Sequence, residues 1–424
     1  MKLVDYKADM QRCSQCSYCE FIPHDQMKSW RFSLGCPSAA YTRFGTYSAR
    51  GRYGVAWSLL DGRSTYSDEV KNIVYECLTC GSCDISCKIC RYDLQPLDTL
   101  REFRAKLVED GQTLPAHMAI IESLRNEHNT MLKPKSERGK WAEGLDVKYV
   151  PEDKAKVLFF AGCRYSFDEG LQKVARTAVT LLKNSGIDIG IMGKAESCCG
   201  GRAYDMGYQQ DFNKMAENNI KAWDKAGIKT IVTSCASCYH AFKRLYPQLG
   251  LNIEILHTVE YFDRLIKEGK VKLAKNIPMR VAYHDPCRLG REGEPYVPWK
   301  GKQIKVRNQI VVFDPKKPRY NGIYGVYDAP RDVLKSIPGI DLVEMERIRE
   351  YAWCCGAGGG AREAYPDFSK WTAAERIEEA KSTGSEAIVT ACPWCERNFI
   401  DAVKNTSSTM KVFDIVELLQ MAIK

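Results

Sequence analysis

The sequence predicts an α+β protein: a helical N-terminal domain over residues 1–130, then two pseudo-repeated α/β half-domains at 153–275 and 276–424. Three observations predict it. The chain beyond 153 contains an internal repeat; each copy alternates short apolar runs with longer amphipathic ones; and the first 130 residues lack that alternation.

The elements follow in order. The clearest helical stretch of the first domain is 97–109. Pro115, the polar run 133–138 and Pro151 then mark a helical tail and a linker over 131–152. In the first half-domain the runs 157–160, 187–192, 230–233 and 253–256 have the composition of buried strands, and 169–184, 207–226 and 237–248 have helical length and apolar spacing. Strand–helix alternation predicts a mostly parallel sheet. The second half-domain repeats the first: 156–163 matches 280–287, 197–201 matches 353–357, 230–238 matches 387–395, and 257–260 matches 414–417. The offsets are 124, 156, 157 and 157, which places one insertion of about 32 residues, roughly 292–323, between Cys287 and Cys354.

Composition narrows the function. With 424 residues, 45% hydrophobic and 27% charged, the chain is neither disordered nor collagen-like. No apolar run approaches a membrane span, and the polar start lacks the apolar stretch of a secretory signal, so a cytoplasmic protein is expected. Nineteen cysteines in a long chain, an odd number that includes the adjacent pairs Cys198-Cys199 and Cys354-Cys355, do not suit a secreted disulfide scaffold. Thiolates at this density suit iron–sulfur clusters or zinc.

The cysteines fall into nine, five and five. Cys13-x2-Cys16-x2-Cys19 and Cys77-x2-Cys80-x2-Cys83-x3-Cys87 have the ferredoxin spacing that wraps a loop around a cubane, in which the fourth cysteine of a run serves the other cluster. The expected groups are therefore Cys13, Cys16 and Cys19 with Cys87, and Cys77, Cys80 and Cys83 with Cys36. Zinc is the alternative, although three cysteines at this spacing fit a tetrahedral ribbon poorly. Cys90 is left over as a spare thiol.

Cys163-x34-Cys198-Cys199-x35-Cys235-x2-Cys238 and Cys287-x66-Cys354-Cys355-x36-Cys392-x2-Cys395 resemble the cysteine-rich "CCG" domain of the heterodisulfide reductase family. Two ferredoxin-type motifs followed by two CCG domains resemble its fused catalytic subunit. They are also similar to iron–sulfur subunits of glycolate, lactate and glycerol-3-phosphate oxidising enzymes. The resemblance implies two cubane and two non-cubane [4Fe-4S] clusters, the latter held by the five cysteines of each CCG domain. It implies an oxidoreductase of anaerobic metabolism that takes electrons from a redox partner subunit, a flavoprotein or membrane cytochrome, and reductively cleaves a small disulfide to two thiols. The alternative is a relay between a flavoprotein dehydrogenase and a quinone or another reductase. Either role leaves the chain cytoplasmic or peripheral to the membrane through a partner.

Other motifs are read beside this. Gly356-Ala357-Gly358-Gly359-Gly360-Ala361 imitates a dinucleotide fingerprint, but it follows a double cysteine and has no evident acidic ribose partner. Gly200, Gly201, Gly356, Gly358 and Gly359 are expected instead to let backbone N–H groups approach cluster sulfur. His284 could protonate a departing thiolate or serve as a hydrogen-bonded strand-end residue. Arg202, Arg288, Arg291 and Arg362 could clamp an anionic thiol or balance cluster charge. The insertion mixes basic residues with aromatics, and its 303–313 segment reads as a strand or hairpin, either a solvated surface or a docking surface. Nucleic acid is not expected. Two cubanes with four thiolates each would bring the net charge of +9 to about +5, so much of the basic excess balances clusters.

Overall fold

The computed structural model describes residues 2–90, 94–306, 310–316, 318 and 320–423. The side chain of Cys90 lies outside the described residues, as do Arg307, Lys317 and Arg319 of the insertion.

The N-terminal domain is helical, built from Ala49–Leu60, Asp68–Tyr75, Ser82–Cys90 and Pro96–Glu109 around Tyr53, Val74, Tyr75, Leu100, Phe103 and Leu107. Pro96 starts the last of these, a position where a missing N–H costs nothing. The next helix, Pro115–Glu127, buries Ile120, Ile121 and Leu124 in the core of the α/β halves.

Strands β1 (Lys148–Tyr149), β2 (Val157–Phe160), β3 (Ile189–Ile191), β4 (Thr230–Thr233) and β5 (Glu254–His257) form one parallel sheet in the order β1-β3-β2-β4-β5. The second half contributes β6 (Met279–Tyr283), β7 (Lys302–Val306), β8 (Ile310–Asp314), β9 (Ile340–Val343), β10 (Ala387–Thr390) and β11 (Lys411–Asp414). Of these, β11-β10-β6-β9 make a second parallel sheet, while β7 and β8 pair as an antiparallel hairpin inside the insertion. Every residue of β2 and β10 is buried, because helices cover both faces of each sheet. The two sheets share one continuous hydrophobic core.

The segment 131–152 does more than link. Its β1 adds an edge to the first sheet, and Arg138 within it is fully buried against the first repeat. The expected helix at 237–248 is a composite of an α turn, Ala236–His240, a π turn, Ala241–Leu245, and a 3-10 turn, Tyr246–Leu249.

Candidate metal centres

Cys13, Cys16 and Cys19 lie on a loop in which Gln15 and Ser17 take left-handed backbone conformations, curling the chain on itself. Cys87, on helix Ser82–Cys90, faces all three. Thr79 and Gly81 curl the second loop in the same way, and Cys36, Cys77, Cys80 and Cys83 line one cavity roofed by Leu97, Leu100 and Phe103. The Thr79 N–H donates to Cys77 Sγ at 3.4 Å. The structure thus brings Cys87 to the first run and Cys36 to the second. Burial pushes the Cys36 thiol up to about 12 and also raises Cys83.

In each repeat the five cysteines gather at the carboxyl ends of parallel strands, where such sheets collect ligands. Thiol–thiol contacts join Cys163 to Cys198, Cys199 to Cys238, and Cys238 to Cys235. The second repeat reproduces them: Cys287 with Cys354, Cys355 with Cys395, and Cys395 with Cys392. The glycine after each double cysteine donates its N–H to the first of the two sulfurs, Gly200 to Cys198 at 3.4 Å and Gly356 to Cys354 at 3.5 Å. Both glycines have positive φ, and a Cβ on Gly356 would meet the Ser369 carbonyl at 2.4 Å.

The sets also meet one another. Cys80 contacts Cys354, and Cys235 contacts Cys392. Gly358 and Gly359 make the first meeting possible. A Cβ on either would lie 2.4 Å from the carbonyl of Leu78 or Cys77, so these glycines serve close backbone approach between domains. A Cβ on Gly201 would be in ordinary contact with Cys199 Sγ and the Ser237 carbonyl, each at 3.7 Å. The five cysteines of the second set line one cavity, together with Trp394 and with Arg202 and His240 of the first repeat.

The donor sets fit iron–sulfur clusters. All eighteen described cysteines are free thiols, gathered in four groups. Tetrahedral zinc, with Zn–S near 2.3 Å, would draw its sulfurs to roughly 3.8 Å of one another. Among the described residues, the one group of three or more possible ligand atoms within 4.8 Å of each other is His284, Cys355 and Cys395. The wider spacing elsewhere leaves room for a polynuclear cluster.

Buried charge holds the groups in place. Arg138 donates to Cys163 Sγ at 3.5 Å and pairs with Glu196 at 3.0 Å, and Glu196 accepts the N–H groups of Ala161 and Gly162 just before Cys163. Arg101, Asp205, Arg288 and Glu292 form a quartet drawn from all three domains; Arg288 also donates to the Thr79 carbonyl at 3.0 Å. Arg291 reaches the carbonyls of Cys80, Glu350 and Ala352. Arg202 pairs with Glu363 and lies over the Trp394 ring at 4.3 Å, with Arg164 over the same ring at 4.0 Å. Arg362 pairs with Asp401 and Asn398. All four arginines singled out in the sequence therefore have protein partners.

His284 is fully buried, with Nδ1 accepting from Arg376 Nε at 3.2 Å and its ring grouped with the Cys355 and Cys395 sulfurs. Sequence reasoning missed Arg138, which lies far from any cysteine in sequence, and His240, whose Nδ1 faces the Glu292 carbonyl at 2.7 Å while its Nε2 has no hydrogen-bond partner. His240 was within reach, lying two residues beyond Cys238. The base of the insertion packs on the other domains: Lys88 donates to the Tyr320 carbonyl at 2.7 Å, and Arg244 stacks on the Tyr320 ring. No helix among the described residues is long and apolar enough to cross a membrane.

Comparison with known proteins agrees with this geometry. The family model for the cysteine-rich CCG domain matches residues 157–243 and 312–400, and that for a 4Fe-4S dicluster domain matches 9–89. Cys287 lies outside the second CCG match, which begins within the insertion; the internal repeat extends the unit back to it. The chain is 31% identical to a subunit of the dihydromethanophenazine:CoB–CoM heterodisulfide reductase of Methanosarcina mazei, over 84% of this chain and 79% of that one. It is 30% identical to the EtfAB:quinone oxidoreductase of Syntrophomonas wolfei, over 83% of this chain but 46% of that one. A hypothetical protein from Helicobacter pylori shares the fold at a TM-score of 0.54 and 12% identity, covering 88% of this chain and 67% of that one. With both domain types matched and a heterodisulfide reductase subunit aligned over most of its length, the chain belongs to the heterodisulfide reductase family of iron–sulfur oxidoreductase subunits.

Proposed function

We propose that the protein holds two cubane clusters, at Cys13/Cys16/Cys19/Cys87 and Cys36/Cys77/Cys80/Cys83, and two non-cubane clusters at the five-cysteine sets, and that it reductively cleaves a disulfide between the latter. The observation that carries this reading is that both repeats keep all five cysteines and that the two sets meet through Cys235 and Cys392, the latter lining the cavity of the second set. Cleavage consumes two electrons and two protons and yields two thiols: RSSR′ + 2e⁻ + 2H⁺ → RSH + R′SH. When bound, the clusters supply one-electron transfer, and two facing clusters match the electron pair the reaction needs.

The chain's own groups do the rest. Trp394, with the guanidinium groups of Arg164 and Arg202 over its ring, gives the cavity an apolar wall suited to the hydrocarbon part of a small thiol. The buried quartet of Arg101, Asp205, Arg288 and Glu292 holds the three domains in one arrangement, keeping the cysteine groups in sequence from the N-terminal domain to the first repeat. Cys16 is exposed, unlike the repeat cysteines, and marks the side where a flavoprotein or cytochrome partner would deliver electrons.

The likeness to an EtfAB:quinone oxidoreductase supports a second reading, a relay from a flavoprotein towards a quinone or another reductase. Anaerobically prepared protein with reduced viologen and a panel of disulfides separates the two. Disulfide-dependent dye oxidation is expected, with a new paramagnetic signal when thiol is added to oxidised protein. Intact clusters with neither response would establish the relay instead.

A further inference from the structure

The net charge is concentrated in one place. Residues 295–323 carry seven basic side chains against a single acid, Asp314, a net +6 of the chain's +9. Cations close to the cysteine sets are buried and paired, as Arg138 is with Glu196 and Arg288 with Asp205. Those of the insertion stand differently. Lys300, Lys302 and Lys316 are exposed, and among the described residues none of the three has a hydrogen-bond or ion-pair partner.

The insertion is anchored at its base. Strands β7 and β8 pair with each other and join neither parallel sheet. A two-stranded hairpin is marginal in water by itself, so the base must hold it. Tyr320 closes that base, accepting the Val297 N–H at 2.9 Å and donating to the Val297 carbonyl at 3.2 Å. Its ring lies under Arg244 of the first repeat, and its carbonyl accepts from Lys88. Lys88 belongs to helix Ser82–Cys90, which brings Cys83 to one N-terminal set and Cys87 to the other. The hairpin thus stands beside the helix that serves both sets. Ile304 and Val312 pair directly across it, with Val312 43% exposed, and Val297 at the base is 50% exposed.

Unpaired cations beside exposed aliphatic side chains complement an acidic protein surface, with charge guiding the encounter and apolar contact holding it. A bilayer fits less well. The residues between the strands in sequence, Arg307-Asn308-Gln309, include no apolar or aromatic group to insert. Nucleic acid also fits less well, because rings that could stack on bases are used within the protein. Trp299 packs edge-on against Phe313 and donates to the Pro315 carbonyl, and Tyr320 lies under Arg244.

We propose that the insertion is a docking arm for a small acidic redox protein, which it seats beside helix Ser82–Cys90. One electron then passes from the carrier, which is oxidised, to a cluster of the N-terminal sets, which is reduced. The inference rests on the reading of those sets as clusters. It adds the chemistry of the partner: an acidic face that meets Lys300, Lys302 and Lys316.

Stopped-flow reduction of the anaerobic full chain by an acidic flavodoxin hydroquinone, and separately by reduced methyl viologen, tests this. The wild-type rate constant with flavodoxin should fall steeply between about 0.05 and 0.5 M salt, as the steering charges are screened. Lys300→Glu, Lys302→Glu and Lys316→Glu combined should lower it about tenfold or more at low salt and flatten its salt dependence. Lys300→Arg, Lys302→Arg and Lys316→Arg combined should retain it. Viologen, a small cation, should reduce the glutamate variant no more slowly than wild type, and iron content should be unchanged. A wild-type flavodoxin rate indifferent to salt, or equal rates in wild type and the glutamate variant, would overturn the docking role. So would equal slowing with viologen, since the substitutions would then act on the clusters themselves. Anionic phospholipid vesicles that retain wild type but not the glutamate variant, with flavodoxin rates equal, would assign the arm to a membrane surface instead. N-terminal sets that hold no iron in wild type would overturn the cluster reading, and this inference with it.

Discussion

The thiols of Cys80 and Cys354 meet across the boundary between the N-terminal domain and the second repeat, and Gly359 allows them to. Its φ is +63°, and the carbonyl of Cys77 occupies the space a Cβ would need. Gly359→Ala should cost about 1–2 kcal/mol for the left-handed backbone alone, with more for the displaced loop. Rapid-freeze spectroscopy after mixing with reduced viologen should show slower reduction of the repeat clusters in protein that retains its iron. Wild-type kinetics in this variant would remove the Cys80–Cys354 junction from the route.

Cys36 completes the second N-terminal set although it stands far from Cys77 in sequence. Cys36→Ser should lose the signal of one cubane and roughly one cluster's worth of iron, leaving the other signals in place. Iron analysis with low-temperature spectra checks this, and full retention would reassign the fourth ligand.

Arg138 and Glu196 form a buried pair behind Cys163. Arg138→Met leaves Glu196 uncompensated and should destabilise the protein by about 3–5 kcal/mol, whereas Arg138→Met with Glu196→Gln should recover part of that loss. Denaturant unfolding of both variants measures the difference. Equal losses would show that the pair contributes little beyond packing.

His117 gives stability an acid limb. Burial, followed by the nearby Arg104 charge, lowers it to about 4, while its Nε2 faces the Gly360 carbonyl at 3.1 Å. The unfolded ring titrates near 6.5, so the unfolded chain binds the proton first as pH falls. Its stabilising contribution is complete above about 6.5 and is lost progressively down to about 4, on the order of 3 kcal/mol in all. Thermal melts of His117→Gln should be flatter than wild type across that window; parallel curves would refute the assignment.

Sequence by itself determined the spacing of the cysteines, the repeat, the parallel strands and the hairpin in the insertion. These are carried by local spacing and period, which a chain expresses without knowing its distant neighbours. That Cys87 would lie beside the first run and Cys36 beside the second was expected from the ferredoxin spacing, in which the fourth cysteine of a run serves the other loop. Tertiary structure alone decided how the groups meet. Cys80 with Cys354, Cys235 with Cys392, Arg138 on Cys163 and the quartet around Arg288 all join residues whose proximity depends on domain docking, and no periodicity records docking. His284 stands at that division: its place before Cys287 was readable, but its partner Arg376 was not, since only the packed second repeat brings that guanidinium to its Nδ1.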